Sequence, residues 1–217
     1  MKMNRVYLAT KSERAGHWIN AVGFTLLALS GFNIHFAKEF NVFGTFSVAV
    51  FIHNVVGIVV SINYLLWWVY TIGRGRIRFF IPNRDDMPAG LIKQAKFYLF
   101  GIFKNAPHPF EEGVSRKFNP LQKWTYLGVM TVLLPIQVGT GLALFYLIHH
   151  WSGPGMAIAN RLGVAHTIFA ILGSAFLLGH IYLATTGDTP WAHFKMMFTG
   201  YAEGHSLPAT DDQGVEQ

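Results

Sequence analysis

The sequence predicts an all-α integral membrane protein, folded as a bundle of four transmembrane helices. Only 13% of its 217 residues are charged and its mean hydropathy is +0.33, whereas an ordinary soluble domain carries about 25% charged residues. Four apolar runs are each long enough to cross a hydrocarbon core, which takes about 20 helical residues. The connections 37–42 and 149–155 are short, so each joins antiparallel neighbours of one bundle.

The apolar runs define one membrane domain over residues 1–217. The connection 73–121 and the tail 187–217 lie outside the spans. Within the connection, basic residues alternate with Phe and Leu over 91–103, which favours an amphipathic helix at headgroup level. The four predicted spans are 17–36, 43–71, 122–148 and 156–186.

Lysine and arginine indicate the orientation, because they are retained on the cytoplasmic side during insertion. Seventeen are present, and only Lys38 and Arg161 lie at or between the outer ends of the spans. We therefore expect both termini in the cytoplasm and the chain in a bacterial inner membrane. The formal charge of +6 lies beside apolar spans rather than in a continuous basic stripe, which favours membrane lipid over nucleic acid as a partner.

The absence of cysteine excludes several kinds of functional site. With no cysteine in the sequence, disulfides, thiolate-bound iron–sulfur clusters, covalently attached haem and a cysteine nucleophile are all excluded. No acid–base or nucleophilic triad is recognised, so we assign no catalytic residue.

Four of the ten histidines fall inside predicted spans at matched depths. On the last span, His166 and His180 are 14 positions apart (166 to 180). At ~100° per residue this spacing returns them to nearly the same face, separated by ~21 Å along the helix. This spacing suits two metal centres stacked through the membrane.

Other helices supply a second histidine at each of the two levels. His17 opens the first span on the inner side, which is the level of His180. His53 and His166 each lie about ten residues into spans that begin on the outer side, so they share the outer level. Gly57, one turn after His53, and Gly173, midway between the two histidines of the last span, offer room beside them.

This arrangement indicates two b-type haems, one above the other. Imidazole in hydrocarbon is costly unless it is hydrogen-bonded or bound to metal. Zinc or copper is disfavoured, because each level offers two histidines with no cysteine or carboxylate nearby. Haem needs only two axial ligands and an apolar pocket. A histidine proton relay, as in a transporter or channel, and a purely structural anchor are the alternatives, and both would be colourless.

Two arginines lie near the ends of the predicted spans. Arg14 on the inner side and Arg161 on the outer side are candidates for contacts with haem propionates, because a guanidinium fork matches a carboxylate. A topology signal is the alternative interpretation of both residues.

Four short segments resemble the cytochrome b (gamma) subunit of membrane-bound respiratory formate dehydrogenases. The resemblance covers nearly the whole chain, and the opening motif together with the 14-residue histidine pair is specific. The segments are RAGHW from Arg14, IHNVVG from Ile52, AH from Ala165 and GHIY from Gly179.

The resemblance implies a ligand for each haem iron and a quinone site. It pairs His17 with His180 at the inner haem and His53 with His166 at the outer haem. Residues 117–123 resemble the family's quinone-contacting segment, which would put Asn119 and Gln122 at a menaquinone or ubiquinone site close to His180. Without the resemblance, Asn119 before Pro120 is an ordinary helix start and Gln122 an interfacial polar residue.

The implied function is that of a membrane anchor and electron conduit in a respiratory complex. An iron–sulfur subunit and a catalytic subunit on the non-cytoplasmic face would exchange electrons with the outer haem, and quinone would be reduced at the inner one. The chain would be the electron-transfer subunit rather than the one that oxidises the primary substrate. A quinol-oxidising subunit of a hydrogenase or of a thiosulfate or polysulfide reductase is the alternative, and a higher oligomer of the complex is left open.

Overall fold

The computed structural model describes residues 4–104, 106–110, 117–150, 155–187 and 189–204. These residues are predominantly helical, with one short pair of strands near the ends of the chain. Turns of 3₁₀ and π type connect several of the helices. The elements are β1 (Asn4–Tyr7), α1 (Lys11–His35), α2 (Phe46–Gly73), α3 (Ala89–Lys96), α4 (Pro120–Gly128), α5 (Leu134–His150), α6 (Gly155–Ala184), α7 (Ala192–Thr199) and β2 (Tyr201–Gly204).

The chain divides into two compact units, each made of separate stretches of sequence. Unit 1 comprises Met1–Arg14, Thr71–Val129 and Gly179–Gln217, and unit 2 comprises Ala15–Tyr70 and Met130–Leu178. The single membrane domain over 1–217 stays a prediction.

Three described helices are long and apolar enough to cross a membrane: Phe46–Gly73, Pro120–His150 and Ala157–Ala184. They correspond to the second, third and fourth predicted spans, so a helical membrane protein is confirmed. Helix α1 is 25 residues long, or ~37 Å at 1.5 Å per residue, but its first turns are polar. A fourth crossing by α1 stays a prediction.

Helix α1 begins earlier than the apolar run that predicted it. Thr10 and Glu13 form a capping box, in which the Thr10 N–H donates to Glu13 Oε2 at 3.0 Å and the Glu13 N–H donates to Thr10 Oγ1 at 3.3 Å. These bonds satisfy backbone groups that a helix start leaves open. The helix therefore starts at Lys11, before the apolar residues begin.

The connection between α1 and α2 is closed by Asn33, which is 1% exposed. Its Oδ1 accepts from the Val42 N–H at 3.0 Å and from the Phe43 N–H at 3.3 Å. Gly44 follows at φ 80°, and Thr45 Oγ1 then accepts from the Val48 N–H at 3.2 Å. Because these residues form a turn and a cap, α2 starts at Phe46 rather than at the predicted position 43. The other short connection, 149–155, lies largely outside the described residues.

The third long helix contains a π turn over Val129–Leu133, between α4 and α5. The Tyr64 hydroxyl donates to the carbonyl of Met130 in this turn at 2.7 Å. A side chain from α2 therefore forms a hydrogen bond with a backbone carbonyl at the point where α-helical hydrogen bonding is replaced by the π turn.

In unit 1, β1 and β2 pair antiparallel with Tyr7 opposite Tyr201, a feature that the sequence did not predict. Helix α7 ends at Gly200, with φ 90°, and the Gly200 carbonyl accepts from the N–H groups of Leu8 and Ala9 at 2.9 and 3.1 Å. A Cβ at Gly200 would lie 2.4 Å from the Tyr7 ring. Glycine is therefore required by both the backbone angle and the close approach.

The predicted amphipathic segment 91–103 is helical. Helix α3 continues through a π turn over Phe97–Gly101 and a 3₁₀ turn over Ile102–Lys104. Its place at headgroup level stays a prediction.

Candidate functional site

The two histidines predicted for the outer level lie close together inside unit 2. His53 on α2 and His166 on α6 have ring centroids 6.2 Å apart, with the rings inclined at 78°. An imidazole nitrogen binds a transition metal at about 2 Å, so two rings sharing one metal ion between them have centroids roughly 6 Å apart. The structure therefore brings together the pair that the depth argument predicted, at a separation suited to one shared metal.

The His53 ring is held from α1. The hydroxyl of Ser30, which is 0% exposed, lies 2.9 Å from His53 Nδ1. The next residue, Gly31, is so close that a Cβ there would lie 3.3 Å from His53 Cε1. A hydroxyl and a bare backbone thus contact one side of the ring.

The His166 ring is held in the same way from α5. The Thr140 hydroxyl lies 3.0 Å from His166 Nδ1, and a Cβ at the next residue, Gly141, would lie 3.1 Å from His166 Cε1. On the opposite nitrogen, the Gln137 amide lies 3.2 Å from His166 Nε2. All four long helices of unit 2 therefore contribute to the surroundings of the pair.

The donor set fits a haem iron better than a protein-coordinated metal. Among the described residues no group of three or more histidine, cysteine, aspartate or glutamate side chains could hold a metal ion. Two imidazoles alone suit an iron whose remaining ligands come from a macrocycle. Gln137 Oε1 is buried without a hydrogen-bond partner, which is an unfavourable state for an amide. Gln137 therefore contacts His166 Nε2, the ring nitrogen that would bind an iron, while its own carbonyl oxygen has no hydrogen-bond partner.

The glycines that contact the histidines are not the ones that the sequence indicated. A Cβ at Gly57 would meet a side-chain carbon of Leu27 at 3.9 Å, and one at Gly173 would meet a side-chain carbon of Leu133 at 3.7 Å. Gly31 and Gly141 were missed. The signal was a hydroxyl residue followed by glycine, which occurs as Ser30-Gly31 on α1 and Thr140-Gly141 on α5.

The two histidines predicted for the inner level lie in different units, His17 in unit 2 and His180 in unit 1. Beside His17, the Asn63 amide donates to the Gly16 carbonyl at 2.9 Å and to Asn20 Oδ1 at 2.7 Å. The His180 ring lies 6.4 Å from the Tyr126 ring. The pairing of His17 with His180 stays a prediction.

Asn119 and Gln122 lie at the start of α4, where they form a capping box. Asn119 Oδ1 accepts from the Gln122 N–H at 2.9 Å, and Gln122 Oε1 accepts from the Asn119 N–H at 3.0 Å. Asn119 Nδ2 also donates to the Tyr98 hydroxyl at 3.1 Å, and Asn119 is only 2% exposed. The helix-start interpretation of Asn119 is confirmed, and the amide nitrogen of Gln122 remains outside the box.

The two arginines differ in their surroundings. Arg14 donates to the carbonyl of Phe198 at the end of α7. Arg161 is exposed and makes no hydrogen bond or ion pair with the described residues. Contacts of either arginine with a propionate stay a prediction.

Unit 1 also contains partly buried and buried ion pairs that sequence reasoning missed. Glu13 is bound by Arg76 through two bonds of 3.0 and 2.9 Å and by Lys117 at 2.8 Å. Burial alone would raise the pKa of Glu13, but Lys117 and Arg76 outweigh it and the pKa is lowered. Burial lowers the pKa of Lys117. A second pair, Lys123 Nζ to Asp86 Oδ2 at 2.8 Å, has side-chain exposures of only 8% and 0%.

Comparison with known proteins indicates what kind of protein this chain is similar to. The model of a family described as prokaryotic cytochrome b561 matches residues 9–200. A protein of Escherichia coli (strain K12) described as "Putative cytochrome YdhU" is 34% identical over 208 residues, covering 91% of this chain and 74% of the relative. Both point to a b-type cytochrome.

Proposed function

We propose a specific role for this chain, which belongs to the prokaryotic cytochrome b561 family: the dihaem b subunit of a respiratory oxidoreductase, carrying electrons across the inner membrane to or from quinone. The family gives the general part of this statement, a membrane electron-transfer protein with b-type haem. The number of haems, the quinone and the partner complex are the parts that we add.

The observation that carries the proposal is the pair His53 and His166, with ring centroids 6.2 Å apart. These two residues would hold the outer haem iron, and the bound haem would supply one-electron redox chemistry. The chain's own contribution is to fix the rings, through Ser30 on α1 and Thr140 on α5, and to surround them with apolar helix.

A second haem on the inner side would be held by His17 and His180. The support is the shared helix: His166 and His180 lie on α6, 14 positions apart (166 to 180), so one helix would carry a ligand for each level, ~21 Å apart by ideal helical rise. Arg14 and Arg161 would contact propionates on the inner and outer sides, respectively. Two centres at these depths make a path for electrons across the membrane.

The quinone, menaquinone or ubiquinone, would bind on the inner side near Asn119, Gln122 and His180. Of these groups, the Gln122 amide nitrogen is the donor that the capping box leaves available for a quinone carbonyl. Gln94 on α3 is a second amide of unit 1, 0% exposed and without a hydrogen-bond partner among the described residues. A buried amide of this kind gains from an added polar partner.

The partners would be an iron–sulfur subunit and a catalytic subunit on the non-cytoplasmic face, as in formate dehydrogenase, with both termini of this chain in the cytoplasm. The resemblance in the haem-binding segments supports formate dehydrogenase as the complex, and the basic residues on the inner side support the orientation. A hydrogenase or a thiosulfate or polysulfide reductase would use the same chain in the opposite direction, from quinol to the outer partner.

The experiment that tests this function uses the purified full chain in detergent. We expect a b-type absorption spectrum after reduction with dithionite, and rapid loss of the reduced absorption when a short-chain menaquinone or ubiquinone is added. A colourless chain would support a histidine relay or a structural anchor instead. Reduced haem that added quinone does not oxidise would contradict the quinone site.

A further inference from the structure

We propose that Ser30 and Thr140 are positioning residues that set the tautomer of the two outer histidines, so that each ring keeps its proton on Nδ1 and presents Nε2 as the free nitrogen donor. This inference rests on the proposed role of His53 and His166 as haem ligands. It adds the residues that fix the protonation and the donor strength of those ligands.

The Ser30 hydroxyl already donates its single hydrogen to a backbone carbonyl. Ser30 Oγ donates to the Leu26 carbonyl one turn earlier, at 2.7 Å, and also lies 3.3 Å from the Leu27 carbonyl. A carbonyl only accepts, and a hydroxyl has a single hydrogen. The 2.9 Å contact between Ser30 Oγ and His53 Nδ1 is therefore one in which the ring donates, so Nδ1 carries the proton.

Thr140 repeats this arrangement on a different helix. Its hydroxyl donates to the Ile136 carbonyl at 2.7 Å, which leaves the oxygen to accept from His166 Nδ1 at 3.0 Å. The Thr140 contact therefore assigns to His166 the same tautomer as to His53.

The two hydroxyls have the same consequence for both ligands. A ring that donates its Nδ1 proton to an acceptor is held in one orientation, and its other nitrogen becomes more basic. A more basic ligand stabilises ferric iron relative to ferrous iron. Ser30 and Thr140 should therefore hold the midpoint potential of the outer haem below the value that it would have without them.

The test compares hydroxyl removal with hydroxyl retention at each position. Thr140→Val and Ser30→Ala remove the hydroxyl acceptor and leave the backbone carbonyls of Gln137 and Leu27 as partners of the rings, whereas Thr140→Ser and Ser30→Thr keep the hydroxyl. Ser61→Ala and Thr25→Val are matched controls, because their hydroxyls donate to the carbonyls of Gly57 and Ala21 at 2.7 and 2.8 Å and make no other described contact. The readouts are haem content per chain and a potentiometric titration of the b-type absorption.

We expect Thr140→Val and Ser30→Ala to raise the potential of one haem and leave the other unchanged. If the change in ferric-over-ferrous preference is roughly tenfold, like the smaller effects that residues beside a metal ligand have on metal affinity, the shift is about 59 mV for a one-electron couple. Thr140→Ser, Ser30→Thr and both controls should stay near the wild-type value. Loss of the outer haem in the hydroxyl-removing variants alone would also support the proposal.

Two results would overturn it. One is a potential in Thr140→Val and Ser30→Ala no different from that of the controls, with haem content intact. The other is equal haem loss in the hydroxyl-retaining variants, which would mean that packing rather than the hydrogen bond matters. Neither result resembles failure of the proposed function itself, because a wild-type chain without haem would already contradict that function.

Discussion

The two units use buried and half-buried polar side chains for different purposes. In unit 2, Ser30, Thr140 and Gln137 all direct a polar atom at a histidine ring. In unit 1, Asn119 and Gln122 bond to each other, and Lys123 bonds to Asp86. Buried polar groups therefore mark a ligand site where they converge on a ring, and a structural support where they satisfy one another.

This contrast predicts where a substitution will affect stability and where it will affect haem. Changes in the self-satisfied groups of unit 1 should lower the free energy of unfolding first. Changes around His53 and His166 should alter haem binding with little effect on the helices themselves.

The largest effect on stability is expected from Lys123→Met. It leaves Asp86, which is 0% exposed, as a buried charge without its partner, and breaking a buried pair in this way costs about 3–5 kcal/mol. The free energy of unfolding in detergent would measure it. The double variant Asp86→Asn with Lys123→Met should be less destabilised than the single one, because no uncompensated charge remains. Lys104→Met, at an exposed lysine, is the control, and an equal effect there would contradict the prediction.

An intermediate effect is expected from Gly141→Ala. The added methyl would lie 3.1 Å from His166 Cε1, so the ring must shift. We expect affinity for the outer haem to fall on the order of tenfold, as for other changes beside a metal ligand. Gly139→Ala, two residues earlier on α5, is the matched control, since a Cβ there meets nothing within 4 Å. Haem titration of both variants measures the difference, and equal affinities would show that Gly141 does not position His166.

The smallest effect is expected from Gln122→Glu. This change keeps an oxygen that accepts from the Asn119 N–H, so the capping box of α4 survives, but it removes the amide donor proposed for the quinone. A lost hydrogen bond of about 1 kcal/mol weakens binding roughly fivefold. The dependence of haem oxidation on quinone concentration should shift accordingly, while haem content stays intact. Gln122→Leu removes both functions and should also destabilise α4. Unchanged quinone kinetics in both variants would show that Gln122 serves only the helix start.

The sequence was informative where chemistry depends on spacing along a helix. The level shared by His53 and His166 followed from their distances to the span ends, and the structure brings the two rings together. The helix start at Asn119 followed from the proline after it and is confirmed by the capping box. Both inferences use only local geometry.

The sequence was uninformative where a residue type has a common alternative. Ser30 and Thr140 cannot be told apart by spacing from Thr25, Ser61 and Ser174, because all five donate to a carbonyl four residues earlier. The glycine that follows Ser30 and Thr140 and the three-dimensional contact of each hydroxyl with a histidine ring distinguish these two residues.

Pairing between residues far apart in the sequence was a second feature that the sequence did not predict. The strand pair of Asn4–Tyr7 with Tyr201–Gly204 joins opposite ends of the chain. Four residues on each side carry too short a pattern to predict it. The ion pair of Lys123 with Asp86 was missed for the same reason, since nothing local links the two positions.

The central claim is that four histidines hold two haems, and haem stoichiometry tests it most directly. Haem b would be counted per chain in the wild type and in His53→Ala, His166→Ala, His17→Ala and His180→Ala, with His35→Ala, at the exposed end of α1, as the control. We predict two haems in the wild type and the control. One haem should be lost in each of the other variants, the same one for the first two and the other one for the last two. A single haem in the wild type, or full occupancy after any of the four substitutions, would contradict the account.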